Sequence, residues 1–412
     1  MSGMYNKKKI VNDPVHGFIS IPSELQFDIM QHPYFQRLGR IRQLGLSYMV
    51  YPGAQHTRFQ HSLGAMHLMG EAIAQLRMKG NEITDEEADA VLSAILLHDV
   101  GHAPFSHVLE NTVVDGVSHE EISLMMMRRI NDEFSGRLDM ALAIFQNQYP
   151  KHFLHQLVSS QLDMDRLDYL IRDSFFTGVV EGAVGTARII KMLNVHDDHL
   201  VVESKGIYSI EKFLIARRMM YWQVYYHKTS VAAEQLLINL LRRAKALALS
   251  GEELFASPAF SYFLYNKMDK EKFKKEEIAL QNYAELDDND ILCAIKAWAH
   301  HPDRVLSLLA RSLMNRRLFK TEVFDEPIPA SHFKERMAQY VKELKLTEKE
   351  ASYLASQDIV SASTYTSDNE DTSINVLYAD GSLKDISEAS DILNISMMSK
   401  NTKKYYFCCF KL

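Results

Sequence analysis

From Glu24 to about Lys320, apolar residues recur at the three- and four-residue spacing of helices that each bury one face. That long uninterrupted pattern fixes the fold class as mainly α. Local start signals agree with it. Thr84 followed by Glu87 is a capping box, and Val91, Leu92, Ile95 and Leu96 form the apolar stripe of a helix over Thr84–His98. Ser118 followed by Glu121 opens a second helix. Further helices fit Gln161–Arg172, Ile210–Arg243 with one break, Asp288–Ala299 and Asp303–Asn315.

Both ends have a different character. Residues 1–24 read as an extended segment, with a turn at Asp13–Gly17 and a short strand around Phe18, Ile19 and Ile21. Val195–Ile210 suits a hairpin set among the helices. Near Phe324 the text changes again. The two prolines of Asp325–Ala330 mark a linker, a helix follows over Ser331–Leu344, and Ile374–Tyr378 and Lys404–Phe410 read as strands. The expected division is an N-terminal extended segment (1–24), a helical core (25–323) and a small C-terminal α+β appendage (324–412).

Composition excludes several function classes. Lys and Arg number 46 against 53 Asp and Glu, a net charge of −7, so nucleic acid is at most a minor partner. Three cysteines, Cys293, Cys408 and Cys409, make no disulfide framework and suit a reducing compartment. The opening MSGMYNKKKI lacks the apolar stretch of a signal peptide, and no apolar run reaches the roughly 18 residues of a membrane span. A soluble cytoplasmic chain with no membrane partner is expected.

Histidine is the informative residue: there are 17, many of them clustered. His98 and Asp99 end an apolar helix, with His102 and His107 just beyond in LLHDVGHAPFSHVLE. Neighbouring His and Asp side chains can share one cation through nitrogen and oxygen, although capping is the commoner role of a lone pair. If the helix continued, His102 would share the face of His98. His61 lies upstream in HTRFQHSLG. Asp165, Tyr169 and Asp173 fall within one sector of about 80° on a helix, with Leu167, Leu170 and Ile171 pointing elsewhere. Arg58, Arg166 and Arg217 add cations. His61, His98, Asp99 and Asp165 thus form a mixed nitrogen–oxygen set suited to Mn, Fe, Zn or Mg acting on a phosphate. His119, in the first turn after Ser118, is a candidate general acid or base.

At these residues the chain resembles the HD superfamily of metal-dependent phosphohydrolases. The ordered strings NDPVHG, PYFQRLGRIRQLG, YPGAQHTRFQHSLG, LLHDVGHAPFSH, SHEE and DMDRLDYLIRD resemble its deoxynucleoside-triphosphate triphosphohydrolase branch over about residues 10–245, and weakly to about 320. The resemblance implies one divalent metal on His61, His98, Asp99 and Asp165. It implies His119 as general acid, tuned by Glu110, where the family usually has Asp, with His102 and His107 contacting phosphates. Arg58, Arg166 (often Lys in the relatives) and Arg217 would also bind phosphates. Gln43 and Asp173 would hold the sugar 3′-hydroxyl. Leu44 and Tyr169 would exclude a 2′-hydroxyl, and Tyr225 would lie near the base. The implied reaction turns dNTP into deoxynucleoside and tripolyphosphate, with dGTP preferred only by family habit.

The resemblance also implies a homo-oligomer, from dimer to tetramer or hexamer. Gln31 and Gly39 stand where the vertebrate relatives use Asp and Arg for an activating guanine nucleotide. That mode of activation is therefore in doubt, and a different allosteric nucleotide, or none, stays open. Two other readings share the metal ligands: a phosphodiesterase or nucleotidase on other nucleotides, and a non-catalytic nucleotide sensor.

Overall fold

The computed structural model describes residues 9–106, 108, 116–362, 365, 373–391 and 402–412. The chain is mainly α-helical, and small sheets take up its N-terminal and C-terminal segments. Its centre is three packed helices, Arg58–Met78, Asp85–Leu97 and Met164–Thr177. The first buries Leu63, Met66, Met69, Ile73 and Leu76; the second buries Val91, Ile95 and Leu96.

Caps set where the helices stop. Thr84 Oγ1 accepts from Glu87 N (3.1 Å), and Glu87 Oε2 accepts from Thr84 N (2.8 Å). The third central helix starts at Met164 rather than Gln161 because Asp163 is its N-cap, accepting from Arg166 N at 2.7 Å. It runs on to Thr177 and ends at Gly178, whose φ of +76° suits a residue without Cβ. The long helix expected over Ile210–Arg243 is two helices, Ile207–Met220 and Lys228–Leu249. Between them lies a π-helical turn, Tyr221–Tyr225, then His227, whose Nδ1 caps the second helix. The helix after Thr84 ends at Leu97, so His102 does not continue it. A turn over 98–106 carries His102 back toward Asp99 instead.

Strands β1 (Ile10–Asp13) and β2 (Gly17–Ser20) form an antiparallel hairpin. Strands β3 (Leu193–His196) and β4 (His199–Glu203) form another. To β4 is added β7 (Asn375–Leu377) in parallel, and then β8 (Leu383–Asp385). A second C-terminal sheet has the order β5-β9-β6, with β5 at Lys320–Phe324, β6 at Ala355–Ala362 and β9 at Thr402–Cys409. The C-terminal strands are thus woven into the helical body: β4 holds β7, and β6 and β9 lie against the Lys228–Leu249 helix. Among the described residues no helix is long and apolar enough to cross a membrane.

Replacing Thr84 by Ala removes one partner of a reciprocal cap on a central helix. It should lower unfolding free energy by about 1 kcal/mol, read from the urea midpoint.

Candidate metal centre and adjoining cavity

The apolar faces of the three central helices pack together, and their polar residues meet at one end. His61 projects from the first, His98 caps the second, Asp99 follows it, and Asp165 lies in the first turn of the third. Ligand atoms of His61, His98 and Asp99 all lie within 4.8 Å of one another. Asp165 Oδ1 is 3.0 Å from His61 Nε2 and 3.5 Å from His98 Nε2.

The set fits a divalent cation. His61 turns Nδ1 to Asp168 Oδ2 (2.7 Å), and His98 turns Nδ1 to the Ile95 carbonyl (2.6 Å). Each Nδ1–H is therefore engaged, which leaves the two Nε2 atoms facing each other at 3.4 Å. Two imidazole lone pairs that close need a positive charge between them, and Asp99 and Asp165 add anionic oxygens.

The electrostatics ask for the same charge. Burial pulls the His61 imidazole down, but hydrogen bonds to Asp165 and Asp168 overcome it and carry its pKa up to about 10. His98 is also raised: burial opposes, and Asp99 and Asp165 prevail. Burial would raise Asp99, yet Arg58, His102 and His98 hold it well below the carboxylate range. Without metal, protons take the place of the cation.

Several residues that frame the centre were not singled out in the sequence. Asp168, fully buried, receives His61 on one side and His16 Nε2 (2.6 Å) on the other. Arg172 Nε (2.9 Å) and Nη2 (3.0 Å) bind the same carboxylate, and Arg172 Nη1 reaches Asp13 Oδ2 (2.7 Å). The turn around Asp13 is thereby tied to the metal centre. A signal did exist: Asp168 falls on the face of Met164 and Leu167, where an acid is out of place unless paired. Gly64 is required beside it. A Cβ there would sit 2.0 Å from Asp168 Oδ1 and 2.2 Å from Arg172 Nη2.

Ser106 is the other. Its hydroxyl accepts from Arg58 Nε (3.0 Å) and Nη2 (2.8 Å) and lies by the Arg42 and Gln43 carbonyls. Arg58 Nη1 also binds Asp99. Phe105 and Ser106 hold positive φ values of 55° and 58°, a strained backbone for non-glycine residues. Asp288 secures it, accepting from Phe105 N at 2.8 Å.

His102 Nδ1 lies 3.2 Å from Asp99 Oδ1. Its ring packs on that of His119, centroids 3.9 Å apart. Burial, then Arg58, keep His102 neutral. This approach depends on Gly101, where a Cβ would lie 2.2 Å from Ser123 N and 2.4 Å from the His119 carbonyl. His107 and Glu110 lie outside the described residues.

A cavity of about 550 Å³ opens beside the centre. Arg58, Gln43, Leu44, Tyr169, Asp173 and Tyr225 all line it. Asp173 binds His56 Nε2 (2.7 Å) and accepts from Tyr225 Oη (2.8 Å). Arg166 and Arg217 are not among its lining residues. Arg166 pairs with Asp163, and Arg217 donates to Gln161 Oε1 at 2.6 Å and lies over the Tyr221 ring. Among the described residues, the buried Nε atoms of both arginines have no hydrogen-bond partner, and neither has Gln43 Oε1.

An HD domain matches residues 58–173, the stretch that holds all four candidate ligands, and an HD-associated region matches 184–256. The chain belongs to the HD-domain phosphohydrolase superfamily. It is 60% identical to a phosphohydrolase of Bacteroides thetaiotaomicron whose crystal structure superposes with a TM-score of 0.95, over 98% of this chain and 100% of that one. An uncharacterized protein of Bacillus subtilis, YwfO, is 32% identical over 98% of this chain and 93% of its own. A protein of Dictyostelium discoideum named as a deoxynucleoside triphosphate triphosphohydrolase SAMHD1 homolog is 31% identical over 60% of this chain. The chain spans only about half, 51%, of that relative's length.

Removing Asp168 frees the His61 ring. Asp168→Ala should weaken metal binding about 10- to 100-fold, measured by competition with a chelating dye. Because His61 is protonated below about 10 without metal, a cation must displace a proton. Metal affinity should therefore rise with pH from 6 to 9, with proton release visible by calorimetry in buffers of different ionisation enthalpy. PH-independent affinity would contradict this.

Proposed function

We propose that the protein is a metal-dependent dNTP triphosphohydrolase that cleaves dNTP to deoxynucleoside and tripolyphosphate. The observation that carries this reading is the four-ligand metal centre beside a cavity that Arg58, Gln43, Leu44, Tyr169, Asp173 and Tyr225 all line. Among the described residues, Arg166 Nε and Arg217 Nε are donors lacking acceptors, and Gln43 Oε1 is an acceptor lacking a donor. Of the three residues only Gln43 lines the cavity, where a sugar hydroxyl is the complement its oxygen needs. The names of the Dictyostelium and zebrafish relatives point the same way, the latter 28% identical over 57% of this chain.

His61, His98, Asp99 and Asp165 would hold the divalent ion, which would supply Lewis acidity and lower the pKa of water. Arg58, Arg166 and Arg217 bind the phosphates, with His107 and neutral His102 beside them. Arginine forks match phosphate geometry. In hydrolysis a water oxygen bonds to the α-phosphorus as its bond to the 5′-oxygen breaks, and the attacking water gives up a proton to solvent. His119, tuned by Glu110, gives the 5′-oxygen its proton. Gln43 and Asp173 hold the 3′-hydroxyl, while Leu44 and Tyr169 occupy the space a 2′-hydroxyl needs. Tyr225 closes the sugar side toward the base. Homo-oligomerisation and an allosteric nucleotide belong to the same reading.

The test incubates the protein with each dNTP and rNTP, singly and mixed, with Mn²⁺, and resolves products chromatographically. Deoxynucleoside with tripolyphosphate, from dNTPs only, is the expected result. Nucleoside monophosphate or diphosphate products would overturn it in favour of a phosphodiesterase or nucleotidase. His119→Ala should lower kcat by about 10²- to 10⁴-fold and keep nucleotide binding. Asp165→Ala should lose metal together with activity.

A further inference from the structure

The cavity extends well past the sugar-facing residues. Beyond Tyr225 it is lined by Tyr226, Val231, Glu234, Gln235, Ile238, Asp358 and Val360. The Lys228–Leu249 helix and strand β6 supply all of this far wall but Tyr226, which just precedes the helix. Its composition is unusual. Val231, Ile238, Val360 and the tyrosine rings form apolar sides suited to a flat ring, and two carboxylates stand among them.

The two acids differ in their bonding. Asp358 is fixed, with Oδ2 accepting from Gln235 Nε2 at 2.9 Å and Oδ1 from Ile359 N at 2.8 Å. Glu234 makes no hydrogen bond or ion pair with any described residue. Burial, and then the neighbouring Asp358, push its pKa up to about 8. Glu234 is only partly buried and lines the open cavity, so N–H donors carried by a ligand can reach it and favour its charged form. The missing complement is a pair of N–H groups arriving with the ligand.

Resting on the dNTP reading above, we propose that Glu234, backed by Asp358, is the base-specificity residue of the cavity and accepts N–H groups from the edge of the base. Guanine presents N1–H and N2–H₂ side by side, so it can engage both oxygens of one carboxylate. Adenine and cytosine present one amine beside a ring nitrogen acceptor. Thymine presents N3–H between two carbonyls, which face the carboxylates unfavourably. The order of preference is therefore dGTP first, dATP and dCTP next, and dTTP last.

The test measures kcat/KM for the four dNTPs with the full-length protein, Glu234→Gln and Asp358→Asn, with thermal unfolding as a check on folding. The dGTP:dTTP ratio should exceed about tenfold, the size of one good base-edge contact. Glu234→Gln should cut it about tenfold, and dATP should gain on dGTP, because an amide matches a donor–acceptor edge. Asp358→Asn should cut the ratio less. A folded Glu234→Gln protein that slows all four substrates equally, or leaves the ratio unchanged, overturns the assignment. Equilibrium binding of dGTP and dTTP with Ca²⁺ separates the two readings. If no dNTP is hydrolysed but dGTP still binds more tightly in a Glu234-dependent way, the reaction reading fails and the base reading stands. If neither nucleotide binds, both fail.

Discussion

The Asp168 carboxylate is the fixed point of the molecule. It accepts from His61, His16 and Arg172 and lies fully inside the helical core. Burying a charge is tolerable only when it is matched and hydrogen-bonded on every side. Arg172, itself buried and bound to Asp13, supplies the matching charge. One ionic cluster thereby sets the His61 ring, anchors the β1–β2 turn and locks the Met164–Thr177 helix against Arg58–Met78. The arrangement leaves no room for a methyl at Gly64, so the closeness of the two helices and the alignment of the metal ligands are one constraint.

Much of this was legible in the sequence, for a physical reason. Helical periodicity is a local property, so the mainly α class and the positions of two of the three central helices follow from spacing and caps. His98 and Asp99 stood out because a polar pair interrupts an apolar helix at its end. Asp165, Tyr169 and Asp173 stood out because one turn of helix aligns them, and Tyr169 and Asp173 do share a cavity wall. The helix ends were less legible. Asp163 caps a helix inside a run of plausible helix residues, and the π-helical turn at Tyr221–Tyr225 has no spacing signature.

Long-range partners were illegible for a different reason. Nothing near His16 states that it meets Asp168, 152 positions away. Nothing near Asp358 states that it lines the same cavity as Glu234. Phe105 and Ser106 adopt positive φ only because Asp288, from a distant helix, holds the backbone there. Pairings of this kind belong to the tertiary structure, and a single sequence records them only as residues that look misplaced: an acid on an apolar face, or a carboxylate beside valines.

The placement of β9 between β5 and β6 carries a consequence for how the protein comes into being. His61, His98, Asp99 and Asp165 have all been synthesised before residue 166, and the helices that hold them can pack as they emerge from a ribosome. The strand bearing Asp358 is secured on one side only by β9, which begins at Thr402. During translation the Lys228–Leu249 part of the cavity wall can therefore be present while β6 still lacks its partner strand. The residues of the candidate metal centre can thus come together before the last wall of the cavity is fastened in place.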